Sequence, residues 1–384
     1  MLHAYNLIMP HQVFAGADAL SNITELLKMH QVKQLAIFTD KGIRDAGLLE
    51  LPLQFVKTAG VSYIVLDDLP AEPSYGEAQR LVDQCRNHGA DFIIAVGGGS
   101  VMDTAKLSSI LMTDAYGIKE LLDQPLLGKK QIRTLMIPTT AGTGSEATPN
   151  AIVAVPEKQL KIGIVNPEMV PDYVILDARM IKKLPRRIAA ATGVDALAHA
   201  IECWTSKKAN PFSDLYARQA LELILGNIEE ACDDENAMDA KTKMQLASFY
   251  AGVAITASGT TAVHALSYPL GGKYHIAHGV SNAMLLVPVM TFNEPACRDR
   301  LAAVYDLCIR GGETTVEGKS RAVIARLGSI VEHLDIPTSL SEFHVPSSDL
   351  EQLVDAGMQV TRLLVNNMRE VTADDARRIY QTIL

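Results

Sequence analysis

The stretch Gly193–Glu202, GVDALAHAIE, places Asp195 and His199 four residues apart in an otherwise apolar run. At helical spacing the two side chains stack on one face, a turn apart. Burying a lone carboxylate among Ala, Val, Leu and Ile is costly unless a positive group compensates it. Two arrangements meet that requirement. One is a His–Asp hydrogen bond inside a core. The other is half of a metal site, with a carboxylate oxygen and an imidazole nitrogen aimed at one ion. The decapeptide alone leaves both open.

Three more histidines, His264, His275 and His278, fall in VHALSYPLGGKYHIAHG, Val263–Gly279. Gly271 and Gly272 are expected to break the helix between His264 and His278, so that the chain folds back there. Asp195, His199, His264 and His278 together offer one carboxylate and three imidazoles. A nitrogen- and oxygen-rich set of this kind suits Fe(II), Zn(II), Mn(II) or Ni(II), and the ion would compensate the buried Asp195.

A second chemistry lies upstream. AVGGGSVMDTAK, Ala95–Lys106, follows a strand-like run and opens a helix. Its glycines let the backbone approach a bulky anion, and the helix start offers free N–H groups and a positive dipole end. The spacing is not G-x-G-x-x-G, so the usual dinucleotide fingerprint is missing. PTTAGTGSE, Pro138–Glu146, is a second small-residue turn after a strand, rich in hydroxyls suited to a phosphate or ribose. Asp40 closes the strand LAIFTD. A carboxylate there can accept from a ribose 2′-hydroxyl and repels a 2′-phosphate, which favours NAD over NADP. It can equally cap the following helix, and the two roles can coexist.

The elements that must hold these groups divide the chain. Gln34–Asp40, Val61–Leu69, Asp91–Ser100, Thr134–Glu146 and Asp172–Ala178 begin or continue as Val/Ile-rich strands, and Gly76–Gly89 reads as a helix ending at Gly89. Continuous apolar strands between helices mean a parallel sheet covered on both faces, an α/β doubly wound nucleotide-binding domain. Beyond about Pro185 long helical periodicities dominate and strand runs nearly vanish. The expectation is an α/β dinucleotide-binding domain over residues 1–182 and an all-α metal-binding domain over 183–384.

Composition removes several classes. The 384 residues are 48% hydrophobic, enough for two ordinary domains and too apolar for disorder. The net charge of −9, without a Lys/Arg-rich block, excludes a nucleic-acid surface that tracks phosphates. Cys85, Cys203, Cys232, Cys297 and Cys308 are scattered with no C-x-x-C pair, which fits a reducing compartment. MLHAYNLIMPHQVF lacks a basic start followed by an apolar stretch, so no secretory leader is expected. No apolar run of membrane-spanning length is visible. These features read as a soluble cytoplasmic protein.

GGGSVMDTAK, PTTAGTGSEAT, ATGVDALAHAIE and HALSYPLGGKYHIAHG together resemble the iron-containing (group III) alcohol dehydrogenase family, in the right order and over nearly the whole chain. The resemblance implies an N-terminal α/β nucleotide domain, a C-terminal helical domain and an active site in the cleft between them. It implies that Asp195, His199, His264 and His278 are the metal ligands, with Fe2+ expected from the family name and Zn2+ well held by the same groups. It also implies that Gly97, Gly98, Gly99, Ser100, Asp103, Thr139, Thr140 and Lys161 contact NAD, with Asp40 at the adenosine ribose. Family members often form homo-oligomers. Two departures matter. Many members carry a histidine four residues after the third ligand, facing the nicotinamide, where this sequence has Tyr268. Many have an aromatic residue where it has Ile255. The pocket floor is therefore reshaped, and the substrate cannot be taken over from lactaldehyde or propanediol reductases. Asn150 is a candidate substrate-facing group, and His275 a candidate to take over part of the missing histidine's role. Both Tyr268 and His275 are candidates for the proton path.

The expected function is NAD(H)-linked hydride transfer between an alcohol and an aldehyde, with the metal polarising the substrate oxygen. Two rivals stand beside it. A dehydroquinate-synthase-like lyase or cyclase would also bind a metal and NAD, but needs a basic pocket, and only Lys273 is basic in His264–His278. A non-catalytic NAD-binding sensor would have no use for a complete ligand set. The expected partner is a small alcohol or aldehyde, with neither nucleic acid nor membrane.

Overall fold

The computed structural model describes residues 5–158 and 160–384. It separates into two compact units. One runs Ile8–Leu184, and the other comprises Pro185–Leu384 with the described residues that precede Ile8.

The first unit contains strands β1 (Gln12–Ala15), β2 (Gln34–Phe38), β3 (Ser62–Leu66), β4 (Phe92–Gly97), β5 (Arg133–Pro138), β6 (Asn150–Val155), β7 (Leu160–Val165) and β8 (Tyr173–Leu176). Its helices are α1 (Asn22–Met29), α2 (Lys41–Asp45), α3 (Glu50–Ala59), α4 (Tyr75–His88), α5 (Gly99–Ile110) and α6 (Ile118–Asp123). Six strands form one parallel sheet in the order β1-β8-β5-β4-β2-β3. The expected doubly wound architecture is present, and alternation along the strands explains it. Leu35, Ile37, Ile94 and Ile137 face one core with Leu20, Ile23, Leu27 and Val56. Ala36, Phe38, Ile93, Ala95 and Met136 face the other, with Leu81, Cys85, Val101 and Ala105. Period-2 alternation between two apolar layers is what a sheet covered on both faces demands.

The chain steps from β2 to β3 on one side, then crosses back to place β4 on the other side of β2. The carboxyl ends of β2 and β4 are therefore neighbours at a topological switch point, with Phe38 opposite Ala95. Crevices at such points are where open α/β sheets take ligands. The antiparallel β6–β7 hairpin is an addition. Its Ala151, Val153 and Ile164 pack with Ala78, Val82 and Leu107.

The second unit is helical: α7 (Arg186–Trp204), α8 (Pro211–Asp233), α9 (Met238–Ala257), α10 (Ala262–Tyr274), α11 (His278–Val304), α12 (Val316–His333), α13 (Leu350–Met358), α14 (Thr361–Leu364) and α15 (Ala373–Gln381). From Gly193 to Trp204 every residue of α7 is buried. It has no solvent face, because α8, α9 and α11 pack around it. A helix apolar almost all round is the kind that sits in a core.

The expected helix break at Gly271 and Gly272 is not there. Both lie inside α10, which runs on to Tyr274. The turn comes at His275, which is left-handed at φ 54° and ends the helix. Packing of α10 against α11 and α13 holds the glycines helical, and helical context outweighs their weak propensity. Among the described residues no single helix is long and apolar enough to cross a membrane.

Candidate metal centre and cofactor turn

Asp195 and His199 project from α7, His264 from the first turn of α10, and His278 from the first position of α11. One donor atom from each of the four lies within 4.8 Å of the others. Asp195 Oδ1 is the hub, 3.5 Å from His264 Nε2, 3.7 Å from His278 Nε2 and 3.8 Å from His199 Nε2. Ligand lengths of about 2.1 Å give a tetrahedron with edges of about 3.4 Å, close to this spacing. The His199 and His264 rings stack with centroids 4.4 Å apart, and His264 meets His278 edge-on at 5.3 Å. Asp195, His199 and His264 are buried and His278 is half-buried. A buried carboxylate among three imidazole nitrogens, with one side less covered, fits a divalent ion with an accessible position.

The electrostatics agree. Burial alone would raise Asp195, but the facing imidazoles of His199, His278 and His264 hold it well below the usual carboxylate range. Burial alone would lower His264, but the Glu202 and Asp195 carboxylates raise it to about 9. Asp195 is thus held ionised among the imidazoles, as a ligand carboxylate must be.

Two residues of this neighbourhood escaped the sequence reading. Glu202, on α7, is fully buried and touches His264 Nδ1 through Oε2. Asn282, on α11, is also fully buried. Its Nδ2 lies 2.7 Å from Asp195 Oδ1, 3.1 Å from His264 Nε2 and 3.2 Å from His278 Nε2, while its Oδ1 has no hydrogen-bond partner. An orphaned buried oxygen on the ligand set is a further mark of a cation site. The signal for both was present: Glu202 extends the stripe of Asp195 and His199 by another turn, and Asn282 follows His278 at i+4.

Tyr268 is buried with Ala265 and Leu363, its ring centroid 6.0 Å from that of His278. Burial pushes its hydroxyl above the usual phenol range. His275 is exposed, and among the described residues its ring has no hydrogen-bond, ion-pair or ring partner. Ile255 is half-buried near the end of α9.

The first unit carries the second constellation. Gly98 caps α5, whose first turn holds no acidic residue, so its N–H groups face an uncompensated positive end. The glycines serve different purposes. A Cβ on Gly97 would lie 2.6 Å from Val101 Cβ, and one on Gly99 would lie 2.9 Å from Thr143 Cγ2. A Cβ on Gly98 would meet nothing closer than Thr140 Cγ2 at 3.6 Å. Internal packing therefore explains two of them and gives no reason for Gly98. Thr140 Oγ1, beside it, is buried without a partner, and Thr139 N bonds Gly97 O at 3.0 Å. Ser100 Oγ accepts from Glu72 N, and Glu72 pairs with Lys161 at 2.6 Å. Asp40 caps α2 by accepting from Ile43 N at 2.9 Å, so the capping alternative holds.

Asp103 points inward. Its carboxylate accepts from Ser145 Oγ and from Ile152 N at 2.8 Å, and pairs with Lys106 at 2.9 Å. Lys106 is fully buried and also donates to the carbonyls of Ser145, Thr148 and Asn150. Asn150 begins β6 with its carbonyl held in this way and its side chain half-buried.

A dinucleotide-type sheet and a divalent-metal cluster in one chain fit the class of nucleotide- and metal-dependent enzymes. Comparison narrows the class. The family description "Iron-containing alcohol dehydrogenase" matches residues 10–178, and "Fe-containing alcohol dehydrogenase family, C-terminal" matches residues 189–384. The chain is 33% identical to long-chain-alcohol dehydrogenase 1 of Geobacillus thermodenitrificans over 98% of its length and 95% of the relative's. Its structure is similar to that of an alcohol dehydrogenase from Oenococcus oeni, with TM-score 0.93, 29% identity and 99% and 100% of the two chains covered. It is also similar to a sulfoacetaldehyde reductase from Bifidobacterium kashiwanohense in complex with NAD+, with TM-score 0.88, 25% identity and 99% of each chain covered. The chain belongs to the iron-containing alcohol dehydrogenase family.

Proposed function

We propose that this chain is an NAD-linked, iron-dependent alcohol dehydrogenase and aldehyde reductase, acting on a small alcohol or its aldehyde. The observation that carries the reading is the convergence of Asp195, His199, His264 and His278 within 4.8 Å inside the helical unit.

When bound, the divalent ion supplies a Lewis acid for the substrate oxygen and NAD supplies the hydride acceptor. The chain's residues do the rest. Asp195 contributes the charge that offsets the ion, and the imidazoles of His199, His264 and His278 complete its neutral donors. Gly98, with the N–H groups of α5, receives the pyrophosphate, and the orphaned Thr140 Oγ1 offers it or the ribose a hydroxyl. Asp40 keeps an oxygen for the ribose hydroxyls while its other oxygen caps α2, which favours NAD over NADP. Gly97, Gly99, Ser100, Thr139 and Lys161 shape this turn. Asp103, directed at Lys106, Ser145 and Ile152, holds it from behind.

Asn150 supplies a polar contact to the substrate and Ile255 an apolar one. Two groups are available to the departing proton: Tyr268 Oη, a neutral phenol beside His278, and the exposed His275 ring, which exchanges with water. The unpaired cysteines support a cytoplasmic setting. The exposed Tyr5, Phe212 and Leu215, with Tyr5 and Phe212 edge-on at 5.5 Å, support association into a homo-oligomer.

The test is NADH absorbance with a panel of small alcohols and diols, on protein stripped of metal and reloaded anaerobically with Fe(II) or Zn(II). Metal-dependent NADH formation is expected, and His264→Ala is expected to lose bound metal and turnover together. Full turnover by that variant would refute the ligand assignment. A lyase would return its cofactor unchanged and accumulate no NADH.

A further inference from the structure

We propose that Glu202 is a positioning residue that sets the tautomer of His264 and at the same time caps the helix carrying it. The inference rests on the metal reading above.

An imidazole binds a cation through a nitrogen lone pair, so its other nitrogen must carry the proton and give it to an acceptor. His264 Nε2 faces Asp195 Oδ1, and His264 Nδ1 faces Glu202 Oε2. An ionised carboxylate only accepts, so Glu202 requires the proton on Nδ1 and leaves the Nε2 lone pair turned into the ligand cluster.

The other oxygen of Glu202 fixes where that ring stands. Oε1 accepts from Thr261 N at 3.0 Å, Thr261 Oγ1 at 2.6 Å and Val263 N at 2.8 Å. These N–H groups open α10, whose N-cap Thr261 provides no side-chain cap of its own. The cap is supplied across the core by α7, the helix that also carries Asp195 and His199. A negative group at a helix N-terminus is favourable, which offsets the burial of Glu202. The carboxylate thus ties the backbone of α10, the ring of His264 and two other ligands into one frame.

Glu202→Gln separates the two roles. With its amide oxygen toward Thr261 and Val263 the cap survives. The amide NH2 then faces His264 Nδ1 and demands an acceptor there, which moves the proton to Nε2 and removes the lone pair from the cluster. With the amide reversed, NH2 would oppose the backbone N–H groups and the cap would fail. No orientation of glutamine serves both.

The experiment compares full-length wild type, Glu202→Gln and Glu202→Ala after metal removal. Three quantities are read: the melting temperature of the stripped protein, affinity for Zn(II) and Co(II) by competition with a chromophoric chelator, and the His264 tautomer by long-range 1H–15N correlation NMR, recorded on stripped protein at a pH above the value of about 9 to which the flanking carboxylates raise the ring, so that it is neutral. The neutral wild-type ring is expected to carry its proton on Nδ1. Glu202→Gln is expected to melt close to wild type, to carry the proton on Nε2, and to bind both ions about 10–100-fold more weakly. Glu202→Ala is expected to lose thermal stability and affinity together. Unchanged affinity in Glu202→Gln, or weakened affinity with Nδ1–H retained, would overturn the inference. A wild type that binds neither ion would sink the metal reading, and the NMR comparison would still decide the tautomer.

Discussion

Lys106→Met gives the most direct test of how the cofactor turn is held. The substitution keeps a long apolar stem and deletes the ammonium. In the native chain that ammonium is fully buried, pairs with Asp103 at 2.9 Å and donates to Ser145 O at 3.0 Å and Thr148 O at 3.4 Å, as well as to Asn150 O. Burial lowers its pKa, while Asp103 and Glu146 pull the other way. Breaking a buried pair from one side costs about 3–5 kcal/mol, because the partner charge stays behind. Orphaned carbonyls cost about 1–3 kcal/mol each when taken alone, though such terms do not add in full. The expected loss for Lys106→Met is therefore about 3–5 kcal/mol, a large share of an ordinary domain's margin. Adding Asp103→Asn removes the stranded charge and keeps an acceptor for Ile152 N, while the new NH2 replaces the acceptor that Ser145 Oγ used, so that hydroxyl must turn and accept instead. The double variant should recover about 2 kcal/mol, with the carbonyls still unpaired. Urea unfolding of the metal- and cofactor-free protein gives the double-mutant cycle, and amide exchange over residues 145–150 shows whether the loss is local. A single variant within about 0.5 kcal/mol of wild type, or a double variant no better than the single, would refute the account.

Two further perturbations probe the same unit. Gly98→Ala has room for its Cβ, with Thr140 Cγ2 at 3.6 Å and φ −82°. Its stability should change by under about 1 kcal/mol, while NAD affinity by calorimetry falls at least about tenfold; unchanged affinity would remove the phosphate from that turn. Glu146 is buried, and burial raises its carboxyl from 4.5 to about 7. A raised acid binds its proton more tightly folded than unfolded, so stability falls as pH climbs from about 4.5 through 7, by about 3 kcal/mol. Glu146→Gln lacks this slope and should gain on wild type by about 2.5 kcal/mol between pH 5 and pH 8. Parallel unfolding curves across that range would contradict the assignment.

The sequence disclosed whatever depends on local spacing. The i, i+4 pair of Asp195 and His199 announced a shared face, and Val/Ile runs ending in glycines announced strands aimed at turns. The capping alternative for Asp40 was visible from its place at a strand end. Other features depend on what lies opposite. Gly271 and Gly272 read as breakers because propensity is local, yet neighbouring helices hold them in α10. Asp103 entered as a cofactor contact through the family resemblance, and spacing could not show that its carboxylate also pairs with Lys106. β1 has four residues, too few to show alternation, and it is fixed by pairing with β8. Glu202 stood in the quoted decapeptide. Nothing there revealed that its partners lie on Thr261, Val263 and His264, some sixty positions away.

All four ligand candidates, and the two residues that brace them, belong to the helical unit alone. A bound ion would therefore stabilise that unit directly. Its native state gains RT ln(1 + [M]/Kd) from the ion. Protease cleavage of the stripped and the Fe(II)-loaded protein is expected to differ most over residues 185–384. Metal binding would then bear on how long the folded protein lasts as well as on whether it turns over.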